Sequence, residues 1–250
     1  MTIPPATIDD VLARLEVIVE DALRKGSPIG YFAALYERVT LGIKRAIVAG
    51  AFDDGDRMDL LDRTFAGRFL EAWDLYSSGS PCTQSWKLAF DALPDHNVLV
   101  IQHLLLGINA HINLDLGIAA ATVAPGPAIA GLQSDFDTIN TILARLVGAV
   151  QLAIGEVSPR FKTIEAVESI EDRLFDFVLD KARAGAWSFA QQLAVLAPAE
   201  WDAQIAARDA AVTGVGRAIL RPGPLAVPVV AWIREAESSD VTGNIQIVGG

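Results

Sequence analysis

The segment from Val98 to Val123 constrains this chain most. It is the most apolar stretch of the sequence and long enough to raise the question of a membrane span. Yet it carries Gln102, His103, Asn109, His111, Asn113 and Asp115. A lipid-facing helix with that many polar side chains would be costly. The reading is therefore a helix over 97–122, buried inside protein and lining a polar pocket, with no stable membrane insertion.

The rest of the chain must then supply the helices that bury it. Apolar residues recur at helical spacing throughout, and no run of strict alternation predicts a strand. Hydrophobic residues make up 52% and mean hydropathy is +0.35, as expected where helices are buried on more than one face. Thr7-Ile8-Asp9-Asp10 is a capping box that starts a helix ending at Gly26. Ser27-Pro28 opens a second helix, with Phe32, Leu35, Tyr36, Val39, Ile43 and Ile47 inward. A third begins near Gly55, and a shorter one covers 83–93. After Pro125-Gly126-Pro127, a second capping box, Ser134 to Asp137, predicts a helix to about residue 154. Further helices are expected over 163–183, 187–196, 198–220 and 225–237. The prediction is an all-α, single-domain bundle of about nine or ten helices around the central one. It spans residues 1–237, and a polar, loose tail covers 238–250.

Net charge is -11, from 20 basic and 31 acidic residues. Nucleic-acid affinity rests on phosphate neutralisation by Lys and Arg, so a nucleic-acid partner is not expected. A lone cysteine, Cys82, excludes a disulfide framework and a thiolate metal cluster. The first residues show no basic, apolar leader, so the expected location is cytoplasmic. Nothing in the sequence sets an oligomeric state. Asp53-Asp54-Gly55-Asp56 reads as a cap and turn, the five tryptophans as core or pocket wall, and His96 as a loop residue.

The informative signal is polar residues on apolar stripes. Asp62 falls on the inward face of the third helix, between Met58 and Phe65. Asn140 lies between Phe136, Leu143 and Val147, and Glu171 between Val167, Leu174 and Val178. Arg208 lies among Trp201, Ile205, Val212 and Val215. In the central helix, His103, Gly107, His111 and Asp115 follow at four-residue steps on one slowly rotating stripe. Gly107 leaves a gap there that a ligand or another helix could fill. His111 and Asp115 are i,i+4 neighbours and can touch; Asn109 and Asn113 form a second such pair.

Several chemistries suit this pattern. His103, His111 and Asp115 could ligate a divalent metal (zinc, iron or manganese), with Asp62 or Glu171 completing the shell. The function would then be metal-assisted hydrolase, lyase or isomerase chemistry on a small, partly apolar molecule, with His111 and Asp115 catalytic. Alternatively, with no cofactor, Asp115 would orient His111 as a general acid or base of a cyclase or isomerase. Tyr36, Asn109, Asn113, Asn140, Glu171 and Arg208 would hold the small-molecule ligand. A non-enzymatic carrier of a lipid or isoprenoid-like ligand is a further reading, and a purely structural buried network is another.

The segment from Gln102 to Gly117, QHLLLGINAHINLDLG, is distinctive. Together with Leu35-Tyr36-Glu37-Arg38-Val39-Thr40, Leu61-Asp62 and Asp135-Phe136-Asp137-Thr138-Ile139-Asn140, it resembles the mainly bacterial domain-of-unknown-function family 5995. The resemblance spans most of the chain and implies family membership without implying a mechanism. His111-Ile-Asn-Leu-Asp115 is also similar to the His-x-x-x-Asp pairs of the zinc-dependent phospholipase C group. Three histidines are too few for that group's trinuclear cluster.

Overall fold

A computed structural model describes residues 5–163 and 168–250, with side chains described except at 140, 143–150 and 162–180. All regular structure among the described residues is helical. Twelve α-helices follow in order: α1 Ile8–Lys25, α2 Ile29–Val48, α3 Gly55–Ser77, α4 Gln84–Asp91, α5 Val100–Ala110, α6 Leu116–Val123, α7 Gln133–Val157, α8 Pro159–Thr163, α9 Glu168–Ala194, α10 Pro198–Leu220, α11 Val227–Arg234 and α12 Val241–Gly249. A π-helical turn, His111–Asp115, joins α5 to α6, and a 3-10 helix, Gly126–Leu132, precedes α7.

Local signals account for many of the ends. Thr7 and Asp10 form the expected capping box, and Gly26 closes α1 with φ 62°. Asp54 caps α3 by accepting a hydrogen bond from the Arg57 amide. The capping box expected at Ser134 does not form. The 3-10 helix runs directly into α7, so the amides there already have partners, and Asp135 turns inward instead. From Glu168 on, the helices expected over 163–183 and 187–196 form one element, α9; residues 164–167 lie outside the described residues. Nor is 238–250 a loose tail. Asp240 caps α12 through the Gly243 amide, and Ile245 and Val248 bury themselves against α2.

The span from Val100 to Val123 is long and apolar enough to cross a membrane, but 78% of its most apolar window is buried within the fold. α2, α4 and α10 pack around α5, while α3 and α9 cover α6. Two glycines allow this approach. A Cβ on Gly107 would lie 2.4 Å from the Phe32 ring, so Phe32 occupies the gap beside the histidines. A Cβ on Gly117 would lie 2.9 Å from the Ala186 carbonyl oxygen.

Three buried carboxylates tie the bundle together by meeting helix N-terminal amides, which have no partner within their own helix. Asp209 of α10 accepts from the Gln84 and Ser85 amides at the start of α4, at 2.7 and 2.9 Å. Glu237 accepts from the Val100 amide at 3.2 Å and also meets Ser158 and Arg234. Asp135 accepts from the Asp53 and Asp54 amides and from Arg57, at 2.6, 3.2 and 2.8 Å. Each places a negative charge where the helix dipole favours one.

Candidate functional site: a buried His–Asp pair under an aromatic wall

The π turn sits in the middle of the central helix. Leu116 N–H donates to the His111 carbonyl, an i→i+5 bond that inserts one extra residue into the turn. His111 and Asp115 flank this insertion, both nearly fully buried. His111 Nδ1 lies 3.3 Å from Asp115 Oδ2. Trp86 Nε1–H donates to the same oxygen at 2.7 Å, and Arg68 Nε–H donates to Asp115 Oδ1 at 2.7 Å.

Asp115 therefore meets three donors, one at Oδ1 and two at Oδ2. Burial raises its pKa, but the Arg68 charge, with help from His111 and Trp86, outweighs burial and holds the carboxyl below its usual range. Burial also dominates at His111 and lowers its pKa; Asp115 opposes this and Arg68 adds to it. The imidazole is neutral at neutral pH. An ionised carboxylate can only accept, which assigns the imidazole proton to Nδ1 and leaves a lone pair on Nε2. That Nε2 is buried and has no hydrogen-bond partner.

Aromatic rings hold the imidazole in place. Phe65 stacks on it with centroids 3.6 Å apart and planes 7° apart, and Tyr36 meets it edge-on at 4.5 Å. Phe32, Phe69 and Trp86 close the rim. Beyond this wall lie three more buried polar atoms without partners: the Tyr36 hydroxyl, the Thr40 hydroxyl and Asp62 Oδ2. Tyr36 links them to the imidazole. Burial raises its hydroxyl pKa well above the usual value, and the charges of Asp62 and Asp115 push it further. Thr40, one turn along α2, works the other way, though the two hydroxyls do not reach hydrogen-bond geometry. Asp62 is pushed up to about 7 by burial first and by the neighbouring Asp59 second.

The sequence-predicted residues thus divide. Tyr36, Asp62, His111 and Asp115 gather in one region. His103 does not join them. It lies two helical turns away, about 12 Å along the axis at 1.5 Å per residue. Its ring packs beside Tyr31, and burial lowers its pKa to about 4. Asn109, Asn113 and Arg208 meet on another face. Asn113 donates to Asn109 Oδ1, Asn109 donates to the Val212 carbonyl, and Arg208 Nε–H donates to the Asn113 carbonyl. Asn140 and Glu171 have side chains outside the described residues. Among the described residues no three His, Cys, Asp or Glu side chains converge as a metal site. The predicted quartet of His103, His111, Asp115 and Asp62 does not assemble, because His103 is too far along the helix and donors already occupy Asp115.

Arg68, Thr40 and the donor role of Trp86 are not evident from the sequence pattern. One available signal was the need of an inward Asp115 for a cation. Arg68 follows Phe65 by three residues and so flanks the apolar face of α3.

This fold and site define an all-α bundle built around a buried, aromatic-walled His–Asp pair. A family model described as a family of unknown function, DUF5995, matches residues 8–222, and the chain belongs to that family. No curated protein and no solved structure gives a significant match.

Proposed function

We propose that this chain is a metal-independent enzyme of acid–base type. It would bind a small, partly apolar molecule against Phe65 and Tyr36, with His111 Nε2 as the general base. The observation that carries this reading is the unpartnered, buried Nε2 of a neutral imidazole whose other nitrogen is held by Asp115. Leaving such an atom unpaired costs roughly 1–3 kcal/mol, so it calls for an occupant. Arg68 neutralises Asp115, which keeps the imidazole from being protonated in advance. Asp62, near 7, sits where a proton can be taken or given at neutral pH.

In the proposed step, His111 removes a proton from the bound molecule and becomes an imidazolium that Asp115 stabilises. The Tyr36 hydroxyl offers a hydrogen bond to the charge that develops. Tyr36, Asp62, His111 and Asp115 are all nearly fully buried, so entry requires the helices around them to part. Small molecules extracted from the purified protein are to be incubated in heavy water with wild type and with His111→Gln. Wild type is expected to introduce deuterium into at least one of them, and the variant, still folded, is not. Tight retention of an unlabelled molecule by both proteins would replace this reading with a non-enzymatic carrier.

A further inference from the structure

We infer that the polar end of this pocket receives an amino group, held by Asp62, beside the His111 imidazole, and by the hydroxyls of Tyr36 and Thr40; this rests on the pocket proposed above. The four side chains are all more than nine-tenths buried, at 7, 3, 5 and 0% exposure respectively. Each has a polar atom without a partner. Their chemistry is lopsided. Asp62 Oδ2 and His111 Nε2 are acceptors, and the two hydroxyls can accept as well as donate.

Among the described residues no ion pair to Asp62 is found. Every arginine of α3 is engaged with a different carboxylate: Arg57 with Asp135, Arg63 with Asp59, Arg68 with Asp115, at 2.8, 2.9 and 2.7 Å. An anionic ligand would meet an unpaired carboxylate with nothing to offset it. A hydroxyl would offer one proton to several acceptors. An ammonium group carries three donors and the missing charge. Its apolar body would lie against the Phe65 and Tyr36 rings, whose faces also attract a cation.

Three probes with one aromatic body separate these cases: benzylamine, benzyl alcohol and benzoate. Each is titrated calorimetrically into the full chain at about pH 8, where Asp62 is ionised and benzylamine still protonated. Benzylamine is expected to bind about tenfold or more tightly than benzyl alcohol, and benzoate more weakly still. Asp62→Asn should remove that preference while leaving the protein folded. Asp209→Asn, at a carboxylate bonded to the Gln84 and Ser85 amides and to none of the four pocket side chains, should keep it.

Equal or tighter binding of benzyl alcohol or benzoate overturns the inference, as does no binding of benzylamine. Preference for benzylamine that survives Asp62→Asn also overturns it. Failure of the general-base reading looks different: benzylamine is preferred, yet no bound molecule exchanges a proton with solvent. Proton exchange without amine preference has the reverse meaning.

Discussion

The two sides of the central helix bury similar polar groups to opposite effect. On one side, Asn109, Asn113 and Arg208 form a closed chain of hydrogen bonds ending on α10. Asp209, Glu237 and Asp135 are equally well matched elsewhere in the bundle. On the other side, Tyr36, Thr40, Asp62 and His111 each keep an atom with no partner. Burial therefore does not mark the site, and neither does one unpartnered atom, since the Ser85 hydroxyl, Arg57 Nε and Asn244 Oδ1 have no hydrogen-bond partner either; what distinguishes it is that a carboxyl, an imidazole and two hydroxyls share that condition in one region. A fold can use a buried carboxylate as a clamp where amides meet it, or hold it ready for something else where they do not.

The largest expected effect comes from Asp115, which belongs to both regimes. Asp115→Ala strands Arg68 and the Trp86 indole and should destabilise by about 3–5 kcal/mol in urea unfolding. Asp115→Asn keeps one acceptor and should cost less, about 1–3 kcal/mol, because the Arg68 charge loses its counterpart. A variant as stable as wild type would show that this carboxylate does not hold the site together.

Asp62 should behave in the opposite sense. Its folded pKa, about 7, is raised from 3.8, so the fold prefers the protonated form. Its contribution is fully present below pH 3.8 and is lost as pH rises through about 7. Melting curves of wild type and Asp62→Asn should diverge across that window and then run parallel. The variant should become the more stable by an amount on the order of a few kcal/mol. Convergence of the two curves at high pH would mean that Asp62 has a partner in solution.

The clamp carboxylates give a smaller effect. Asp209→Ala frees the Gln84 and Ser85 amides, of which Ser85 is buried, and should cost roughly 1–3 kcal/mol. Proton exchange at His111 should be unchanged, since Asp209 bonds the Gln84 and Ser85 amides and none of the site side chains. A lost exchange activity would dissolve the distinction between clamp and site.

The smallest expected effect is that of a chelator. EDTA should leave the melting temperature unchanged, and elemental analysis should find no stoichiometric zinc, iron or manganese. A bound metal lost together with stability would restore a ligand set built on His111 and Asp62.

Periodicity and capping are local properties, and they made much of this molecule legible. α1, α2, α3 and α10 follow from them, as do the inward positions of Asp62, His111 and Asp115. An i,i+4 contact within one helix needs no knowledge of any other element. The position of α12 was less legible because Val241–Gly249 is short and polar in part, and its apolar residues matter only once α2 is beside them. His103 was misplaced for a geometric reason. Four-residue steps keep residues on a similar face but carry them apart along the axis, and a stripe is not a point.

What the sequence by itself determined is the all-α bundle, its buried central helix and a His–Asp pair facing inward. Those follow from backbone hydrogen bonding and from the cost of exposing apolar surface, both written in residue order. Only the tertiary structure decided that Arg68 and Trp86 donate to Asp115, that Phe65 stacks on His111, and that Nε2 has no partner. Those facts depend on which helices pack together and at what rotation. Asn109 and His111 are equally polar residues on one helix; the neighbours α10, α2 and α3 make one a tie and leave the other available.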